Sequence, residues 1–179
     1  MRPSVRTALA AAAAALAPLA VGQAPAAPAK AAPAPPDHHV FFIHGPARVH
    51  DDAYRGMLMG VAVVRQENRT SVRLHVSGFP ESARGRTFGA HVHVNACGPR
   101  PEDAGPHYRN PDAEPGTPLR EKEIWLDVTI GDDGHGRSHV DVPWRVARDA
   151  AGSIVVHAEP TEPRTGDAGA RLACITVPF

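Results

Sequence analysis

Seven short runs rich in β-branched residues constrain the fold more than anything else in the chain. They are Met57–Val64 (MLMGVAVV), Ser71–Ser77 (SVRLHVS), Thr87–Val94 (TFGAHVHV), Ile124–Ile130 (IWLDVTI), Ser138–Val142 (SHVDV), Ser153–His157 (SIVVH) and Leu172–Val177 (LACITV). Turn-forming residues separate them: Glu67-Asn68, Gly78-Phe79-Pro80, Gly131-Asp132-Asp133-Gly134, Gly152 and Thr165-Gly166-Asp167. Several short strands with this punctuation predict an all-β, antiparallel sandwich or barrel. No stretch sustains a helical period, and no internal repeat is visible. The segment from Gly98 to Glu121, rich in proline and glycine, is long for a structureless connection, and loops of that length are usually functional.

The N-terminal part has a different character. Arg2 and Arg6 precede an apolar run, Thr7 to Val21, and Ala24-Pro25-Ala26 offers a small-residue cleavage site. This is the layout of a secretory signal peptide over residues 1–26, and the run is short for a membrane span or an anchor helix. No cysteine near the cleavage site suggests a lipid anchor. Residues 27–39 are dominated by Ala and Pro up to Pro36 and are expected to form a flexible spacer, with one folded domain over 40–179. The expectation is therefore an exported, extracellular protein without stable membrane insertion after cleavage. The whole chain carries 19 basic and 19 acidic residues, and loss of Arg2 and Arg6 would leave a slight acidic excess. A nearly neutral surface gives no support for nucleic acid as a partner.

In an oxidising compartment the only two cysteines, Cys97 and Cys174, are expected to pair. Closing a loop of that size is assigned about 4.5 kcal/mol by the chain-entropy account. Histidine is the second notable residue. His91 and His93 share one face of a strand, because residues i and i+2 point to the same side. His107 follows in the long loop, and His157 ends the run SIVVH. Four imidazoles without a thiolate suit copper, or alternatively zinc, whereas the H-x-H pair alone could be an ordinary polar pair on a sheet. His44, His50, His75, His135 and His139 read as solvated or core-edge residues. Trp125 and Trp144 read as packing. Asp37-His38-His39, beside the spacer, has no preorganised geometry for a metal.

The motifs HVH at 91–93, AGPHY at 104–108, VVH at 155–157 and TGDAGARLAC at 165–174 together resemble the copper/zinc superoxide dismutase family, in the family's order. The resemblance runs from about Gly56 to Phe179. It implies a Greek-key β-sandwich or flattened barrel whose long loops hold copper on the outside. Carried over residue by residue, it makes His91, His93 and His157 copper ligands. His107 is then the histidine that bridges copper and zinc in zinc-containing members. Cys97 and Cys174 match the family disulfide, and Arg171 matches the arginine that guides the superoxide anion.

The departures are as informative. Pro115 stands where the next zinc histidine would lie, and Glu121 and Ile124 stand at the other zinc positions. The connection after His157, AEPTEPR, is shorter than in zinc-containing members. The resemblance is thus to a secreted copper-only branch, with zinc expected to be absent. Without zinc, the second ring nitrogen of His107 needs another partner. Glu123 and Asp127 are the candidates, with Glu102 and Glu121 behind them, although alternation against Ile124, Leu126 and Val128 would place Glu123 and Asp127 toward solvent. Two functions follow: an exported copper-dependent superoxide dismutase, catalytic through Arg171 and His107, or a copper-buffering module of the same fold with little turnover. A zinc hydrolytic site would leave the arginine and the disulfide without purpose. The oligomeric state stays open.

Overall fold

The computed structural model describes residues 39–179. The expected signal peptide, nearly all of the spacer, and Asp37 and His38 lie outside the described residues. Among the described residues, ten strands make two four-stranded sheets and a two-stranded ribbon. The first sheet has the order β1 (His39–Pro46), β3 (Leu58–Gln66), β4 (Arg69–Ser77), β8 (Gly136–Val142), all neighbours antiparallel. The second has the order β2 (Arg48–Val49), β10 (Arg171–Thr176), β9 (Ser153–His157), β6 (Ala90–His93). Thr87–Phe88 (β5) pairs with Val128–Thr129 (β7). The path from β4 to β8 passes through the second sheet before returning, the long-connection pattern of a Greek key.

Alternation explains the first sheet. In β4, Thr70, Val72, Leu74 and Val76 are buried, while Arg69 and Arg73 are exposed. Val72, Leu74 and Val76 meet Val92, Ile154, Val156, Leu172 and Ile175 of the second sheet in one apolar core. The second sheet is different, because every residue of β6 and β9 is buried. Its outward face is covered: Val155 and Cys174 pack against Ala104 and Cys97 of the long loop. Among the described residues no helix is long and apolar enough to cross a membrane.

Three local expectations change. The run Thr87–Val94 is not one strand but two, separated at Gly89. A Cβ there would lie 2.6 Å from the Ala168 Cβ and 3.0 Å from the Glu159 carbonyl, so only glycine lets the chain after His157 close onto this point. Of the run Ile124–Ile130, only Val128–Thr129 is strand, while Ile124 to Leu126 join β6 through single bonds. β1 is an additional strand. It begins at His39, the residue expected to end the spacer, and its half-buried Phe41 and Ile43 pack on the core.

Candidate metal centre

β6 is the platform of the site. On one edge it pairs with β9, setting His91 beside Val155 and His93 beside Ser153. On its other edge the returning chain takes the free backbone groups. The amide of Tyr108 donates to the Val92 carbonyl (2.8 Å), that of Val92 to Ile124 (3.2 Å) and that of Leu126 to Ala90 (2.7 Å). His107 is thereby bridged to His93, and Trp125 to His91. His157, at the end of β9, projects to the same side as His91 and His93, two residues beyond outward-facing Val155. The result is a cluster of four imidazoles. The His91 ring centroid lies 4.1 Å from that of His107 and 4.9 Å from that of His157, and His93 lies 4.8 Å from His107.

Each ring has one nitrogen held from outside the cluster. His93 Nδ1 is 2.9 Å from the Gly105 carbonyl and His157 Nδ1 is 3.1 Å from the Gly169 carbonyl. A carbonyl only accepts, so both rings carry their proton on Nδ1 and keep an Nε2 lone pair. His107 Nδ1 lies 2.9 Å from Glu123 Oε2, which leaves its Nε2 in the same condition. His91 is turned the other way: Nε2 meets the Thr161 hydroxyl at 2.7 Å, and Nδ1 is buried without a hydrogen-bond partner. One nitrogen per ring is left for the middle, and four such atoms lie within 4.8 Å of one another. A buried, convergent set of neutral imidazole nitrogens, one of them otherwise orphaned, fits copper, and it fits zinc less distinctively. Burial, followed by the neighbouring rings, drives the His91 pKa far below its usual value. Burial likewise lowers His93 to about 3 and His157 to about 4, overriding their bonds to backbone carbonyls. In the metal-free protein these rings stay neutral, as metal ligation requires.

The comparison with known families agrees with this geometry. Residues 58–177 match the copper/zinc superoxide dismutase family. The chain belongs to that family. No curated protein matches it. The family's disulfide is present as Cys97–Cys174, with Cα atoms 5.9 Å apart and the two cysteines 77 positions apart in sequence. It ties the start of the long loop to β10. Arg171, at the head of β10, donates to the carbonyls of Pro101 (2.9 Å) and Gly105 (2.7 Å) rather than to a carboxylate. Gly105 therefore accepts from both Arg171 and His93. A side chain at Gly105, whose φ is 73°, would collide with Val94 and Asn95.

The two candidate carboxylates are placed differently from each other. Glu123 is 1% exposed, which corrects the solvent-facing reading. It accepts from His107 Nδ1, from Trp125 Nε1 (2.7 Å) and from Arg109 Nε (2.8 Å). Burial alone would raise its pKa, but the bonds from His107, Trp125 and Arg109 outweigh it and hold the carboxyl below its usual range. Asp127 is bonded not to His107 but to Thr161, through the hydroxyl (2.6 Å) and the amide (3.0 Å). Glu102 faces Arg100 (3.5 Å), and both Glu102 and Glu121 are exposed. Elsewhere, His75 stacks on His135 at 5.2 Å, and His139 meets Ser71 (3.0 Å), all outside the cluster.

Sequence reasoning left out Thr161, Arg109 and the carbonyls of Gly105 and Gly169, and it assigned Trp125 to packing alone. The carbonyls have no residue-type signal. Thr161 had one: it stands four residues after His157, in a connection too short to wander far from that histidine.

Proposed function

We propose that this chain is an exported, copper-dependent superoxide dismutase that works without zinc. The convergence of four imidazole nitrogens, each with its opposite nitrogen tied down, carries the reading. His91 Nδ1 and the Nε2 atoms of His93, His107 and His157 would hold the metal. Copper held there would supply one-electron redox chemistry, by which one superoxide is oxidised to dioxygen and a second, with two protons, is reduced to hydrogen peroxide.

The chain's own residues do the rest. Arg171 keeps a positive charge at the mouth, anchored by two carbonyls, where it attracts a small anion. His107 is the partly exposed member, with 18% of its side chain accessible, against none for Glu123 behind it. Its Nε2 would hold the metal in the oxidised form and a proton for the peroxide in the reduced form, where the other three nitrogens suffice, with Glu123 accepting from Nδ1 in both. The zinc-free part is supported by Glu123 occupying the nitrogen of His107 that faces away from the cluster, and by Ile124, fully buried in the core. Export over residues 1–26, a spacer to residue 39 and a secreted location are supported by the leader-like sequence and suit a disulfide-bonded domain.

Metal analysis after equilibration with both ions, paired with a superoxide consumption assay, tests the proposal. About one copper and essentially no zinc per chain, with turnover, is the expected result. Stoichiometric zinc beside a filled copper site would refute the zinc-free part. Copper binding without turnover would instead assign the chain to copper buffering.

A further inference from the structure

Three of the four histidines are steadied by groups that leave no choice of tautomer. His93 and His157 donate to backbone carbonyls and His107 to a carboxylate. His91 alone leans on a hydroxyl, which can donate or accept. What decides its direction lies one step further out. The Thr161 Oγ1 is 2.6 Å from Asp127 Oδ1, and a carboxylate only accepts. The single hydroxyl proton is therefore committed to Asp127, and Oγ1 can meet His91 only as an acceptor. His91 must carry its proton on Nε2, which frees Nδ1 for the centre of the cluster.

We infer that Thr161 and Asp127 are positioning residues for His91, a relay that fixes its tautomer and aims Nδ1 at the metal. The inference rests on reading the four histidines as copper ligands. The rest of the surroundings is built for this relay. Asp127 grips the Thr161 amide with its second oxygen at 3.0 Å, so the carboxylate holds the backbone and the hydroxyl of one residue together. Gly89 leaves the room: a Cβ there would stand 2.8 Å from Thr161 Oγ1. The Gly89 amide donates to Glu159 (2.7 Å) and its carbonyl accepts from His157 (2.7 Å), so the connection carrying Thr161 is pinned next to His157. The relay ties together the strand of His91, the strand end of His157 and the segment of Asp127. Such outer partners orient a ligating imidazole and raise its basicity, and losing one typically costs 10–100-fold in metal affinity.

Long-range proton–nitrogen correlation spectra of the copper-free protein read the tautomer directly. The expected result is Nε2–H for His91 and Nδ1–H for His93, His107 and His157. Thr161→Val keeps the shape and removes the acceptor. Its Cu(II) affinity, measured by chelator competition, should fall about tenfold or more, with an altered electron paramagnetic resonance spectrum. Thr161→Ser should return both to within about threefold of wild type. Asp127→Asn offers Thr161 a donor as well as an acceptor, so His91 should show both tautomers. Finding Nδ1–H on His91 in the wild type would overturn the relay. So would a folded Thr161→Val protein with wild-type affinity and spectrum. Should Thr161→Val fail to fold, the wild-type and Asp127→Asn tautomers still decide. A wild-type protein with the expected tautomers that bound no copper would overturn the copper reading and leave the relay standing.

Discussion

Glu123 is the residue whose loss the structure prices most directly. It receives three N–H groups, two of them from the part-buried His107 and the buried Trp125 on one oxygen. The third donor, Arg109, is more than half exposed and can swing into water. Glu123→Ala therefore strands the buried Trp125 donor and leaves His107 with only partial access to water, at about 1–3 kcal/mol for an unsatisfied donor. Breaking a buried charged cluster by removing one partner costs about 3–5 kcal/mol in comparable cases. At about 3–4 °C per kcal/mol for a domain of this size, the copper-free, disulfide-bonded protein should melt roughly 10–20 °C lower. Glu123→Gln keeps an oxygen for His107 and Trp125 but replaces charge-assisted bonds with neutral ones about half as strong. It should cost about 1–2 kcal/mol at pH 7. The sign with pH follows from a folded pKa below the unfolded one. The carboxylate's stabilisation is complete above the usual carboxylate range and is lost as pH falls through the lowered value. The gap between wild type and Glu123→Gln should thus close in acid. Thermal melts at several pH values, with superoxide consumption on the copper-loaded proteins, measure all of this. A Glu123→Ala melt within a degree of wild type, or a gap that widens in acid, would refute the account.

Other predictions follow from the same geometry. Cys97→Ser should lower stability by about 2–4 kcal/mol and also slow turnover, because the bond holds the loop whose Pro101 and Gly105 carbonyls seat Arg171; unchanged melting and rate would show the bond to be idle. Arg171→Glu should keep copper yet consume superoxide at least about tenfold more slowly, about 1.4 kcal/mol in barrier, and the wild-type rate should fall with added salt. Equal rates in variant and wild type would remove Arg171 from the mechanism. The copper-free protein should lose stability as pH falls from about 6.5 toward 4, since unfolded histidines take protons that His93 (about 3) and His157 (about 4) refuse when folded. A urea midpoint flat over that range would contradict the burial argument.

Much of this molecule can be read from residue order, and the misses share a cause. The strands facing the core announce themselves by period, as β4 does with Val72, Leu74 and Val76. The four histidines are visible through family motifs around them. Arg171 and Cys174 are three apart, which simple alternation would put on opposite faces. A register shift between Arg171 and Ala173 turns Arg171 toward the long loop that the disulfide also holds. No residue in RLAC announces that bulge. β1 escaped because HVFFIHGP alternates half-buried Phe41 and Ile43 with exposed Val40 and Phe42, so its apolar residues do not mark one face.

The segment from Glu123 to Asp127 is the most instructive case. The amides of Val92 and Leu126 keep it in register with β6, so Ile124 and Leu126 enter the core while Trp125 is bridged to His91. Alternation was therefore right about which side Glu123 and Asp127 take. What failed was the step from "opposite the core" to "in water", because the outward face of this sheet is itself roofed by the long loop and by the connection after His157. Under that roof the two carboxylates stand four residues apart, and each serves a different histidine. Glu123 meets His107 directly, and Asp127 reaches His91 through Thr161. A polar residue on a strand facing away from a core can be judged solvated only once the loops that might cover it are accounted for. Here the lengths of those two loops, rather than the strand's own pattern, decide the fate of both acids.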